Sequence, residues 1–194
     1  MIELLVSIGI FVFMTALVVV KYGNFNQSVL LTDLAYDVAL TIRTAQTYGV
    51  SVKSTTNDFS ASYGTTFTTQ TLGNGVGAAA NNAILLFRDT NQPAPNGIFE
   101  LTDQIVSAYA IKRGAIVSEI CVDSGVSCSS ANNASVVDVS FIRPNPDAVI
   151  CGKSRTTGST RCNYDYAEIK LKGTDGNTRR VAVYRNGQIS VLDQ

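Results

Sequence analysis

IELLVSIGIFVFMTALVVV, residues 2 to 20, is the stretch from which the rest of this sequence is read. Between Leu4 and Val20 there is no charged side chain, and the polar members Ser7 and Thr15 are hydroxyls able to bond back onto a helix's own carbonyls. Seventeen helical residues at about 1.5 Å each span roughly 26 Å, near the short end for a hydrocarbon core of about 30 Å. The segment therefore reads as membrane-inserted or as the core of an assembly. A cleaved secretory signal would begin with basic residues and end at a small-residue cleavage site. Here Glu3 stands at the start, and Lys21, Tyr22 and Gly23 follow the run. A soluble core helix apolar on every side would need a larger core than 194 residues supply.

Glu3 is the residue out of place, an acid at the mouth of an apolar helix with no basic side chain before Lys21. An ionisable group there is costly in lipid and marks a functional position in need of a partner. The partner can be the chain's own terminal ammonium or that of a neighbouring molecule.

The string Ile2-Glu3-Leu4-Leu5-Val6, opening an otherwise uncharged run, resembles the N-terminal segment of type IV pilins and type II secretion pseudopilins. The likeness is strong over IELLVSIGIFVF and about the first 25 residues. It is looser over VLLTDLAYDVALTIRTAQTYGVSVKS, residues 29 to 54, which is similar to the pseudopilin subgroup of the GspH/FimT kind. Family members carry a short basic leader ending in Gly and usually Phe-Thr-Leu before Ile-Glu, whereas Met1 directly precedes Ile2 here. The resemblance implies an assembly role for Glu3 and a filament-core helix built on Leu4, Leu5, Ile8, Ile10, Phe11, Phe13 and Leu17. It also implies identical or homologous pilin subunits as partners, an inner-membrane stage before assembly, a prepilin peptidase and an assembly machinery. The C-terminal bulk is then outside the cytoplasm, in a periplasmic or extracellular filament.

Beyond Gly23-Asn24, a weak point for helix, apolar residues recur at Leu31, Leu34, Ala35, Val38, Ile42 and Ala45. Spacings of three and four describe one helical face, and Gly49 before Val50-Ser51-Val52 marks its end. Residues 54 to 82 are rich in Ser, Thr, Gly and Asn, and aromatics at Phe59, Tyr63 and Phe67 suggest an edge strand followed by a loop. Farther on the period becomes two. Ala83 to Phe87, Ile116 to Ile120, Val137 to Phe141 and Ala167 to Leu171 read as half-buried antiparallel strands, with Asp138 and Ser140 on a solvent side. Pro144 and Pro146 stop the strand ending near Ile142. A closing meander is expected over 166 to 172, 179 to 184 and 189 to 192, with Asn186-Gly187 as a type I′ hairpin turn.

The expected fold class is α+β, a long N-terminal hydrophobic helix packed on an antiparallel β domain. The division is residues 1 to 53 for the helix, with 1 to 22 the membrane or filament-core part and 27 to 50 the amphipathic half, and 54 to 194 for the exported domain.

Chemistry is sparse. The chain has no His, which removes Ser/His/Asp and Cys/His mechanisms, and its carboxylates pair only at Asp33 and Asp37, four apart on a helix. No catalytic residue, cofactor or metal is expected, and the chain reads as a non-enzyme. Fifteen basic and fifteen acidic residues and a pI near 6.2 leave no overall field for a polyanion, disfavouring nucleic acid as the main partner. Locally, Lys153, Arg155, Arg161, Lys170, Lys172, Arg179 and Arg180 make the C-terminal third basic, as a solvated strand face or a weak contact with DNA or acidic subunits. Gly73 to Gly77 superficially suggests a phosphate loop but lacks the Lys-Ser/Thr that one needs. Asn26 and Asn133 sit in glycosylation-type triplets by spacing alone.

The four cysteines, Cys121, Cys128, Cys151 and Cys162, contain no CxxC pair that zinc would favour. In an exported domain disulfides are the expected state, and Cys121 with Cys128 and Cys151 with Cys162 close the shortest loops. Buried free thiols are the competing reading. Two functions stand at this point: a structural subunit of a pilus or pseudopilus filament, or a single-pass anchored binding module or adhesin with a DNA-binding option.

Overall fold

The structure, a computed structural model, describes residues 2–51, 61–71, 80–91, 94–123, 128–129 and 132–192, the side chains of 20–26 excepted. Among the described residues one helix, α1 (Ile2–Val50), precedes ten strands. The helix runs through Gly23 and Asn24 without a break, so the expected weak point costs propensity but not continuity. It closes where Ser51 N–H donates to the Thr47 carbonyl.

Two antiparallel sheets follow. The first holds β1 (Ser62–Thr68), β2 (Ala83–Asp89), β3 (Gln104–Ala110), β5 (Ala134–Phe141), β6 (Ala148–Ser154) and β7 (Thr160–Cys162), in the order β3-β2-β1-β5-β6-β7. The second holds β4 (Ile116–Val122), β8 (Tyr166–Lys172), β9 (Thr178–Tyr184) and β10 (Ile189–Leu192), in the order β10-β9-β8-β4. The fold is α+β, with the helix laid against both sheets.

The stripe read from the sequence is the seam. Leu31, Leu34, Ala35, Val38, Ile42 and Ala45 are all buried, in one core with Phe67, Ile84, Leu86, Val137, Val139 and Phe141 of the first sheet and Ile169, Leu171, Val181 and Val183 of the second. Approach is closest at the helix end, where a Cβ on Gly49 would lie 2.5 Å from the Phe141 carbonyl oxygen. Tyr48 stacks edge-on against Tyr63 one residue earlier.

Three expectations need correction. The Ser/Thr-rich strand around Tyr63 and Phe67 is not an edge but the middle of the six-stranded sheet, paired to β2 at Thr65↔Leu86 and to β5 at Thr65↔Val139. Phe59 lies outside the described residues. All seven residues of β1 are buried, and so are all eight of β5, including Asp138 and Ser140. The alternation marks two faces, and both are covered. The helix takes one face, and the segment between β2 and β3 folds over the other, packing Phe99 on Leu85 and Phe87. Gly64 is small because the Phe87 ring fills that space, 2.8 Å from where its Cβ would be.

The third correction is the Asn186-Gly187 turn. Only Gly187 takes a positive φ, 80°, and its N–H donates to the Tyr184 carbonyl while Tyr184 N–H donates to Gln188. That is a three-residue loop closed by a left-handed glycine rather than type I′. The β8–β9 turn repeats it, with Gly176 at 86° and Gly173 N–H donating to the Asn177 carbonyl. The meander β8–β9–β10 is otherwise in the expected place. Strands β3, β6 and β7 lack a clear sequence period.

The seam is testable by a matched pair. Ile42 is fully buried and Leu40, on the opposite face, is 64% exposed. Ile42→Ala should cost about 2–5 kcal/mol of domain stability by chemical denaturation, and Leu40→Ala less than about 0.5 kcal/mol.

Candidate assembly interface

The apolar window Ile2–Val19 has a mean hydropathy of 2.5 and none of it is buried. Glu3, Leu4, Leu5, Ile8, Ile10, Phe11, Phe13 and Leu17 lie on this one helix, and all are exposed. Leu5 is 72% exposed and Phe11 69%. A single continuous apolar surface of this kind has to be covered by lipid or by other chains. It is the one described helix long and apolar enough to cross a membrane.

The polar atoms within the window are already provided for. Ser7 Oγ donates to the Glu3 carbonyl, and Thr15 Oγ1 bonds to the carbonyls of Phe11 and Val12. Glu3 lies in the first turn, where unpaired N–H groups favour a negative charge. Among the described residues its carboxylate meets no cation.

The domain that the helix carries is clipped by two disulfides, Cys121–Cys128 and Cys151–Cys162. These are the short-loop pairs. Cys151 and Cys162 are directly opposite on β6 and β7, closing a hairpin. Glu119 approaches the first pair, so that its carboxylate and the two sulfurs fall within 4.8 Å. With both sulfurs spent in the disulfide and Glu119 engaged by Lys170 and Asn133, the group as built offers no thiolate to a metal.

Other sequence candidates disperse. Asp33 and Asp37 are exposed and line a hollow of ≈ 210 Å³ with Lys112 and Arg113 beneath the helix. Asp37 accepts the Tyr109 O–H at 2.7 Å, and burial with that carboxylate pushes the phenol up to about 12. Of the basic cluster, Lys170 pairs with Glu119 at 3.3 Å and Arg180 with Glu168 at 3.5 Å, while Arg161 lies over the Tyr164 ring. Asn133 is half-buried and donates to Glu119. Gly73 to Gly77 and the side chain of Asn26 lie outside what is described.

Sequence reasoning missed a set of carboxylates under the β2–β3 segment. Asp89 accepts the N–H groups of Asn91 and Gly97, and Asp103 those of Thr90 and Glu100, which pins the segment to the sheet. Asp138 lies beside them, 4% exposed, with Oδ1 lacking a hydrogen-bond partner. Burial pushes its carboxyl up to about 7, against the pull of the Thr66 hydroxyl and the Phe99 amide, and the Asp103 charge adds to the rise. The available signal was Asp138 itself, an acid inside a strand of valines.

Comparison with known proteins adds no relative: no protein-family model, curated protein or solved structure matches the chain.

Asp138 gives a signed pH prediction. Its native pKa of about 7 stands above the ordinary 3.8, so its protonated form stabilises the fold fully below pH 3.8, and that contribution is lost as pH rises through 7. Asp138→Asn should flatten this part of the profile, and at pH 8 the variant should be the more stable by up to several kcal/mol in urea melts.

Proposed function

We propose that this chain is a structural subunit of a type IV pilus or type II secretion pseudopilus. The observation that carries the reading is the fully exposed window Ile2–Val19, continuous with a half-helix fixed by its other face to a folded β domain. Such a molecule is stored in the inner membrane with its domain outside the cytoplasm. It then joins a filament in which apolar helices of like subunits surround one another. Two disulfides suit an oxidising compartment. Processing by a prepilin peptidase and delivery by an assembly machinery belong to the same reading, which assigns the chain no catalysis.

Moving the helix from lipid to a filament core gains little hydrophobic free energy, because lipid tails are as apolar as leucine. Packing and charge pairing must then select the register. Glu3 supplies the charge, and the N-terminal ammonium of the adjacent subunit is its partner. A second reading, an anchored adhesin that never polymerises, draws on the exposed hairpin between Cys151 and Cys162, which holds Lys153, Arg155 and Arg161 and no acid. Electron microscopy of sheared surface material separates the two.

Glu3→Ala keeps the anchor apolar and removes only the pairing. It should leave the protein in the membrane fraction at its usual level while filament yield falls about tenfold or more. Normal filaments from that variant would refute the pairing role.

A further inference from the structure

The chain is neutral overall, yet its loop charges are segregated along the helix axis. The end of the six-stranded sheet from which α1 leaves toward residue 2 carries the described residues 69–71, 80–82, 111–115, 132–134 and 153–161. They hold Lys112, Arg113, Lys153, Arg155 and Arg161 and no acid. The opposite end holds Asp89, Glu100 and Asp103 before β3, and Arg143 with Asp147 between β5 and β6.

Lys112, Arg113, Lys153 and Arg155 are exposed, and among the described residues none meets a carboxylate at ion-pair distance. The ion pairs Lys170–Glu119, Arg180–Glu168 and Arg185–Asp165 involve none of these four cations. Among the described residues the acids near this end are Asp33 and Asp37 on the helix, Asp175 in the β8–β9 turn, and Glu119 and Asp123 of the β4 region beside Asn132 and Asn133; Asp37 is occupied by Tyr109, and Glu119 by Lys170 and Asn133.

At Lys112 and Arg113 the spacing matches a bilayer surface. Gln27 lines the same hollow as Lys112 and Arg113. From Val19, the last residue of the apolar window, the helix climbs about 12 Å to Gln27. A headgroup layer takes up roughly 5–7 Å of this. The remainder is within the reach of extended Lys and Arg side chains and below the Debye length of about 8 Å.

We propose that Lys112, Arg113, Lys153 and Arg155 form a basic collar that rests on anionic phospholipid headgroups while the helix spans the bilayer. This rests on the membrane reading of residues 2–19. The collar sets the tilt of the domain over its anchor before assembly, and it is released when the subunit leaves the membrane.

The test uses the full chain reconstituted into vesicles of phosphatidylcholine, with or without about one-third phosphatidylglycerol, followed by amide hydrogen exchange. Exchange in 111–115 and 153–161 should slow about tenfold in the anionic vesicles, and about 0.5 M salt should restore it. Combining Lys112→Gln, Arg113→Gln, Lys153→Gln and Arg155→Gln should abolish the protection, and Arg185→Gln should preserve it. Equal exchange in both lipids, with the chain resistant to carbonate extraction, overturns the collar and leaves the anchor standing. Extraction by carbonate overturns the membrane reading itself. Equal protection by duplex DNA added to phosphatidylcholine vesicles would assign these cations to a soluble polyanion and overturn the lipid assignment.

Discussion

The contact between the stripe Leu31–Ala45 and the two sheets is what every other feature of this molecule depends on. It buries one face of the second half of α1 in the same core that joins β1, β2 and β5 to β8 and β9. Because the helix is continuous, that seam also fixes the direction in which residues 2–19 leave the domain. Gly49 permits the last turn to lie directly on the Phe141 backbone, so the two parts meet without an intervening layer of side chains.

The central strands β1, β2 and β5 of the six-stranded sheet are dry on both faces, whereas the edge strands β3 and β7 are open to solvent. On the face away from the helix the cover is a chain segment rather than a second helix, and it is secured by polar contacts. Asp89 and Asp103 collect its backbone N–H groups, and Phe99 inserts against Phe87. Asp138 is left as a buried acid with an elevated pKa, a cost the fold bears at neutral pH. The disulfides act elsewhere, on the β4 side and at the β6–β7 edge, where short strands and loops bury little.

A rigid β domain bearing a bare apolar helix is poorly suited to solitary life in water and well suited to an environment that covers the helix. Lipid and like helices would satisfy that need almost equally well, because lipid tails are as apolar as leucine. Polar groups must then carry the specificity. In the subunit proposed above that role falls to Glu3 on α1 and to the loop charges on the domain.

The sequence by itself determined what local periodicity and apolar content can encode. That includes the membrane-length run, the stripe down to Ala45, the strands around Val137–Phe141 and Ala167–Leu171, the closing meander, and the short-loop cysteine pairs. Each is a pattern within one element or between neighbours in the chain, where spacing alone decides which side chains share a face. Tertiary structure alone decided that β1 is central, since Ser and Thr are as compatible with an edge as with a covered sheet, and only the pairing to both β2 and β5 removes the edge. It also decided that Asp138 and Ser140 are buried, because a period of two identifies two faces and says nothing about what covers the second. That Lys112 and Arg113 share one end of the six-stranded sheet with Lys153 and Arg155, forty residues away, likewise follows from sheet topology, since long-range strand order leaves no trace in local spacing.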